Sequence, residues 1–534
     1  MGFIQSMVSL QQTVDGLRQL AVALGHNVAG IMGVQLDANV AEFIVEDRMM
    51  ALLLGEERNP RHEGEGLSEI LESELPDEAI VLFHPHGDVL SAVKVAPGVG
   101  IRPAAPNFAS MDSRPPSPRP IPFAPPFIDE AAIQAVERVL RSGWITTGPE
   151  TAAFEEELAA FCGVPKVVCG GSWTGLAGVI LDWFGVGPGD EVILPSYTYC
   201  ATANIVLPRG AEPVLVDLPD PEDEDGFNLT WAAVEPHLTP RTKVVMPVDV
   251  GGWPVALTGW KDRLTAWARE HGFEASHPTQ ERLGRPLLLL DAAHSLGATL
   301  GGRPVAPLSD IAVYSFHAVK NLTTAEGGAA ALALPPSFEA DEVHRTLRTL
   351  CLHGQSKDAA AKFNASGRAA WRYDVTTAGF KCNMTDIQAA LGRSALDRYP
   401  ADLEWRHALC DRYDAGFAGW DAACLPRRTD AGRRGADHLY LLRLPRLDEA
   451  GRDALIDRLA EEGVATNVHF QPLPLLTVHA ERGERIEDHP NAHRAYACEI
   501  SLPVHMHLTL DDVDRVVAAV RQGHDAILND GPAS

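Results

Sequence analysis

With 534 residues, the chain is longer than a single average domain and can bury a sizeable core; its 46% hydrophobic and 22% charged residues are those of an ordinary globular protein. A formal charge of -27 excludes general nucleic-acid binding, because a phosphate backbone would be repelled rather than neutralised. It leaves room for a small anionic ligand held by a few local donors.

In chain order, Leu10, Val14, Leu17, Ala21 and Leu24 recur at helical spacing near the N-terminus. Met1-Gly2 with Ser6 meets a loose myristoylation pattern that so short a motif meets by chance, and the segment lacks the basic and apolar parts of a secretory signal. Ala79 to Phe83 reads as a short strand. His84 and His86 follow it without the third or fourth ligand that a metal site needs, so no metal is expected. Residues 1–100 thus read as an accessory region. The Pro/Ser-rich stretch 101–126 reads as a linker, and Met111 inside it is a possible alternative start.

From Asp129 the pattern changes. Ile133, Val136, Val139 and Leu140 trace one face of a helix that stops near Gly143. Short, almost wholly apolar strands then alternate with helical stretches: Lys166–Cys169, Glu191–Leu194, Pro213–Val216, Lys243–Met246, Leu287–Leu290 and Ile311–Tyr314. Such strands suit a sheet covered on both faces by helices, which makes residues 127–395 a large α/β domain. Residues 396–534 read as a smaller α+β domain. Its expected strands are Leu439–Leu444 and Val464–Val468, and its last helix is capped by Thr509 and Asp512 and carries Val513, Val516, Val517 and Val520. No internal repeat is visible, and no apolar run is long enough to cross a bilayer. The eight cysteines have no Cys-x-x-Cys spacing, which favours reduced thiols in the cytoplasm.

Ligands of open α/β sheets bind beyond the carboxyl ends of the strands. There the sequence places Asp291-Ala292-Ala293-His294, Ser315 to Lys320, Gly170-Gly171-Ser172-Trp173-Thr174-Gly175 before a helix, and Pro195 to Tyr199. Each has a task toward pyridoxal phosphate. A helix N-terminus holds the phosphate, a carboxylate keeps the pyridine nitrogen protonated, an aromatic stacks on the ring, and a lysine forms the imine. Taken singly, the acid reads as well as a strand cap and the lysine as a solvated side chain; order and spacing raise the set above that. Gly185 to Gly189 has the look of a dinucleotide loop, but it precedes a strand instead of following one and reads as a turn.

Tyr314-Ser315-Phe316-His317-Ala318-Val319-Lys320-Asn321-Leu322-Thr323-Thr324-Ala325-Glu326-Gly327-Gly328 closely resembles the lysine motif of the DegT–StrS family of nucleotide-sugar aminotransferases. The likeness is greatest to the branch that makes 4-amino-4-deoxy-arabinose and related 4-amino sugars. Ser142 to Pro149, Gly187 to Val192 and Gly379 to Asp386 match in the same order, so the resemblance spans roughly Ile121 to Gln522. It implies a fold-type-I aminotransferase: a mixed, mostly parallel sheet covered by helices, acting as a homodimer with active sites at the subunit interface. It further implies Lys320 as the imine lysine, Asp291 as partner of the pyridine nitrogen, and His294 near the cofactor's phenolic oxygen. Thr174, Gly175 and Ser315 match phosphate contacts, Tyr199 the stacking aromatic, and Asn383 an asparagine that reaches the neighbour's phosphate. Thr146 and Thr147 lie in a segment bordering the substrate. The implied reactants are L-glutamate, 2-oxoglutarate and a nucleotide-linked keto-sugar.

Four departures bear on the pocket: Trp173 in the phosphate turn, Asp249 where many relatives carry His, Leu476 to His479 without the usual tyrosines, and an insertion near Glu274–Gly284. Two other readings stay open. One is a same-family dehydratase using pyridoxamine phosphate, which Lys320 speaks against. The other is a non-catalytic regulatory protein on this fold, which the survival of Lys320, Asp291 and Ser315 speaks against.

Overall fold

The computed structural model describes residues 79–83, 89–94, 119–222, 226–356, 372–430 and 432–530. The helix expected over Leu10 to Leu24 and the pair His84 and His86 lie outside them. The chain divides into two units, Met1–Ser113 and Arg114–Ser534. In the first, β1 (Ala79–Phe83), the expected strand, pairs antiparallel with β2 (Val89–Lys94).

The second unit is built on a seven-stranded sheet. Its strands are β3 (Lys166–Gly170), β4 (Glu191–Pro195), β5 (Glu212–Val216), β6 (Thr242–Val245), β7 (Leu287–Asp291), β10 (Ile311–Ser315) and β11 (Gly328–Leu332), in the order β3-β11-β10-β7-β6-β4-β5. Only β11 runs antiparallel to its neighbours; the other pairings are parallel. Along each strand successive side chains enter opposite cores. Val167, Cys169, Ile193, Leu288 and Leu290 join one buried cluster, and Val168, Val192, Leu194, Leu287 and Leu289 join the other. That two-sided burial is why the strands read as unbroken apolar runs. Strand β11, Gly-Ala-Ala-Ala-Leu, is an addition to the expected set, since alanine and glycine carry little strand signal. Two short strands, β8 (Thr299–Leu300) and β9 (Arg303–Pro304), form a side ribbon with β12 (Arg433–Arg434).

Helices α1 (Glu130–Ser142), α2 (Pro149–Cys162), α3 (Trp173–Phe184), α4 (Cys200–Asn204), α5 (Trp260–His271), α6 (Pro278–Leu283) and α7 (Ala340–Cys351) accompany this sheet. Helix α1 ends at Gly143 in the left-handed conformation, φ 75°, as its sequence indicates. Its apolar face is buried only in part. Ala132, Ala135 and Val139 are buried, whereas Ile133 and Leu140 are each 53% exposed. Small residues face inward because Ala135 and Val139 pack directly on Ala390 and Ile387 of α8 (Asp386–Phe417).

Helix α8 runs unbroken for 32 residues, through the expected divide at 395/396. Its later half enters a third core with β13 (Tyr440–Arg443), β14 (Glu499–Leu502), α9 (Glu449–Glu461) and α10 (Leu510–Asp530); Tyr413, Phe417, Tyr440, Leu455, Ile500 and Val513 belong to that cluster. The Thr509 cap forms as expected, with its hydroxyl accepting from Asp512 N–H at 3.1 Å. Val464 to Val468 does not form a ladder strand. Val464 bridges Ile121 and Asn467 bridges Ser501, each in isolation. The same contact draws the end of the Pro-rich stretch into the fold: Ile121 is buried, donates its N–H to Gly463 O at 2.7 Å and accepts from Ala465 N–H at 2.9 Å.

Candidate active site

Strands β3 and β10 end level with each other, because Gly170 and Ser315 both pair with Gly328 of the strand between them. A Cβ on Gly328 would stand 2.7 Å from Trp173 N and 2.9 Å from Tyr314 O, so only glycine lets these ends close up. Ser172 then turns the chain into α3, its Oγ accepting from Gly175 N–H at 3.0 Å. The first-turn amides of Trp173 and Thr174 are left without intrahelical acceptors at the positive end of the helix, a ready cradle for a phosphate. Thr174 is exposed there and Ser315 is partly so. Trp173 turns away into the core, 5% exposed, within the cluster that includes Val168 and Leu176. Its bulk therefore does not fill the turn.

Asp291, the last residue of β7, is buried and accepts from Thr202 Oγ1 at 2.9 Å and Ala293 N–H at 3.2 Å. Burial lifts its carboxyl to about 6, against the lowering effect of those two donors and of the Lys320 charge. Lys320 lies beyond β10, its N–H donating to His317 O at 2.9 Å. Loss of hydration lowers its amine to about 8, and the Asp291 carboxylate holds it from falling further. The pair thus offers a buried negative charge and an amine that loses its proton close to neutral pH.

Three imidazoles complete the wall. His294 accepts from Gly251 N–H at 3.2 Å through Nδ1, and its ring lies 4.3 Å from that of His438. His438 Nδ1 is 2.8 Å from Asn321 Oδ1, and Asn321 donates to Ala436 O at 2.8 Å, which fixes the residue next to Lys320. His469 is bonded to Ser501 Oγ at 2.8 Å. Burial first, and then the charge of Lys320, keeps His294 well below its usual value and His469 at about 3. His438 is held low by burial, by His294 and by Lys320. All three are neutral at physiological pH. The Phe470 ring stands 5.8 Å from His294 and 6.2 Å from Tyr199. Tyr199 is 61% exposed, a ring face open to a ligand. Asp291, His294, Lys320 and Tyr199 are therefore brought together. Asn321, Thr202, His438 and His469 were not singled out from the sequence. One signal was there: His438 immediately precedes the apolar run Leu439–Leu444.

Thr146, Thr147 and Asn383 form a neighbouring group. Thr146 is exposed, whereas Thr147 is buried and accepts from Asn383 Nδ2 at 2.6 Å. Asn383 also bridges Gly170 through its backbone and bonds Lys381 through its side-chain oxygen. The Asp386 carboxylate accepts from Gly148 N–H at 2.7 Å, Thr151 N–H at 3.0 Å and Thr151 Oγ1 at 2.7 Å, so it caps α2 and fixes the 146–148 segment. Thr385 and Gln388 form a capping box, and Gln388 Nε2 donates to Glu326 O at 2.6 Å, tying the lysine loop to α8. Asp249 is buried beside Asp291, with Oδ1 accepting from Val255 N–H at 2.8 Å; burial raises it to about 7. The inserted segment forms α6, whose Gln280 is buried and donates to Gly185 O at 3.1 Å.

The donor set fits pyridoxal phosphate: an open helix N-terminus, a buried carboxylate, an amine without a tight ion pair and an exposed aromatic. No cluster of His, Cys, Asp or Glu among the described residues could hold a metal. None of their helices is long and apolar enough to cross a membrane.

Comparison with known proteins agrees with this chemistry. Residues 126–521 match the model of the DegT/DnrJ/EryC1/StrS aminotransferase family. The chain is 35% identical over 405 residues to the spore coat polysaccharide biosynthesis protein SpsC of Bacillus subtilis (strain 168), covering 75% of this chain and 96% of that one. Spr1654 of Streptococcus pneumoniae, described as a sugar aminotransferase and solved in its PMP form, is 39% identical with a TM-score of 0.72, over 76% of this chain and all 100% of that one. DesV of S. venezuelae, solved with a ketimine intermediate, is 29% identical with a TM-score of 0.63, over 76% and 99%. The match covers the sheet and both of its flanking cores, and the chain belongs to the DegT/DnrJ/EryC1/StrS aminotransferase family of pyridoxal-phosphate-dependent enzymes.

Proposed function

We propose that the enzyme transfers the amino group of L-glutamate to a 4-keto-sugar carried on a nucleotide, releasing 2-oxoglutarate and a 4-amino sugar for glycan or surface-polysaccharide synthesis. The observation that carries the reading is Lys320: a half-buried amine lowered to about 8 beside a buried carboxylate. Similarity to a protein named for spore coat polysaccharide synthesis supports the amino-sugar product, and the lysine motif's likeness to the 4-amino-4-deoxy-arabinose branch supports the 4-position.

Bound pyridoxal phosphate supplies an electron sink for the carbon that loses or gains a proton. The rest falls to the chain. Thr174, Gly175 and Ser315 hold the phosphate at the α3 N-terminus. Asp291, steadied by Thr202 and Ala293 N–H, keeps its negative charge against the ring nitrogen. Tyr199 packs on the ring and His294 borders the phenolic oxygen. Lys320 carries the proton between donor and acceptor carbons, a role suited to an amine that is charged and neutral in comparable amounts near pH 8. In this reading the enzyme is a cytoplasmic homodimer. Asn383 reaches the partner's cofactor phosphate, and Thr146 and Thr147 border the sugar. Residues 1–100 form an accessory region, 101–126 a linker, 127–395 the cofactor domain and 396–534 the smaller domain.

The test is a visible spectrum of the purified enzyme before and after L-glutamate. Bleaching of the cofactor's visible band with equimolar 2-oxoglutarate is expected. A band indifferent to glutamate overturns the donor assignment and points to another donor or to the dehydratase. A second expectation concerns pH. The rate at which cofactor-free protein captures pyridoxal phosphate on Lys320 should rise with pH and level off above about 8, because only the neutral amine is nucleophilic. A rate still climbing at the pH where an exposed lysine titrates would contradict the lowered amine.

A further inference from the structure

We propose that Cys351 and Cys382 form a thiol–disulfide pair that a small disulfide such as oxidised glutathione closes, and that closure disturbs the phosphate cradle. Cys351 is the last residue of α7 and is buried; Cys382 is partly exposed. Leu352 and Lys381 form an antiparallel bridge, which sets Cys351 opposite Cys382, and Cys382 N–H donates to Cys351 O at 3.0 Å. That backbone hydrogen bond, one residue beyond the bridge, holds the two main chains side by side, and disulfides span Cα separations of about 4.4–6.8 Å. The two thiols are near enough to shift each other's ionisation, Cys351 upward and Cys382 downward.

The neighbouring Cys351 thiol and the Lys381 charge favour the Cys382 thiolate against the effect of burial, and Cys382 is the more exposed of the two, which marks it as the attacking sulfur. Its thiolate attacks one sulfur of oxidised glutathione, forming a mixed disulfide and expelling one glutathione thiolate. Cys351 then loses its proton to solvent and attacks the Cys382 sulfur, which expels the second glutathione thiolate. Two electrons pass from the protein thiols to glutathione, and reduced glutathione reverses both steps.

The consequence follows from where Cys382 sits. Its carbonyl accepts from Gly171 N–H at 2.6 Å, in the turn that leads into α3. A Cβ on Gly175 would stand 3.0 Å from Cys382 Cβ and 3.6 Å from its Sγ, so Cys382 floors the cradle. The next residue, Asn383, bridges Gly170. A sulfur–sulfur bond of about 2.05 Å draws Cys382 toward α7 and away from both glycines. The sequence offers no hint of the pairing, since 30 residues separate the two cysteines.

This inference rests on the cofactor phosphate lying at the α3 N-terminus. The experiment equilibrates full-length protein, with and without cofactor, at graded ratios of oxidised to reduced glutathione. Non-reducing peptide mass mapping reads the linkage, and cofactor affinity is measured alongside. A Cys351–Cys382 link with loss of two hydrogens is expected, with cofactor affinity about tenfold weaker and restored by dithiothreitol. Cys351→Ser should stop at a single glutathione on Cys382. Should that variant fold poorly, Cys382→Ser should take up neither link nor glutathione at Cys351. Absence of the link at every ratio, or a link that leaves cofactor affinity unchanged, overturns the proposal. Reduced protein that binds no cofactor would overturn the cradle assignment beneath it, and the unaltered mass of that sample keeps this outcome apart from oxidation.

Discussion

Lys320→Ala is expected to lower turnover by at least about 10³- to 10⁴-fold, because in the proposed mechanism it removes both the nucleophile that captures the cofactor and the group that moves the proton. The fold should survive. Lys320 is only half-buried and reaches no tight ion pair, so circular dichroism and melting should stay near wild type. The variant also tests the electrostatics of the pocket. The Lys320 charge is among the causes that hold His294, His438 and His469 low, so its removal should raise all three in an NMR titration while burial still keeps them below an exposed imidazole. Transamination at a wild-type rate would end the assignment.

Asp291→Asn is expected to cost on the order of 10² to 10³ in turnover. The new amide keeps an oxygen for Ala293 N–H and turns its NH2 toward Thr202 Oγ1, which can accept as well as donate, but it withdraws the buried charge, and breaking a buried ion pair costs about 3–5 kcal/mol. Burial that lifts the Asp291 carboxyl to about 6 in the cofactor-free chain shows how poorly this site tolerates an unpaired anion; a protonated ring nitrogen would relieve it. The expected signature is therefore a kcat loss with cofactor still bound, and a cofactor band shifted toward the form with a neutral ring. A variant with unchanged kcat would show that Asp291 is a strand cap and nothing more.

Much of this site could be read from the sequence because it lies where apolar strands stop. The runs ending at Asp291, Ser315 and Pro195 announce their own boundaries, and the structure brings Asp291, His294, Lys320 and Tyr199 to one place. What escaped notice has physical reasons. Strand β11 is made of glycine and alanine because it threads between β3 and β10, where Gly328 meets backbone on both sides, and such residues carry no strand signature. Helix α1 and its end at Gly143 are as expected, but of its large apolar residues only Val139 is buried, because the small Ala132 and Ala135 turn inward where another helix approaches closely. His438 and His469 come from more than 100 residues downstream of Lys320, and nothing local marks a side chain whose neighbours are set by tertiary packing.

Helix α8 has a mechanical consequence. One rod begins at Asp386, which pins the Gly148–Thr151 segment, continues through Tyr399, whose hydroxyl donates to Leu296 O at 2.8 Å just past Asp291, and ends at Phe417 in the other core. Two lobes that share a beam cannot swing apart as separate bodies without bending it, and close-packed interiors resist such bending. The natural flexure point is Pro400, which lacks the N–H of a regular helical rung. The same helix thus ties the segment bordering the candidate site, the turn after Asp291 and the smaller core into one frame.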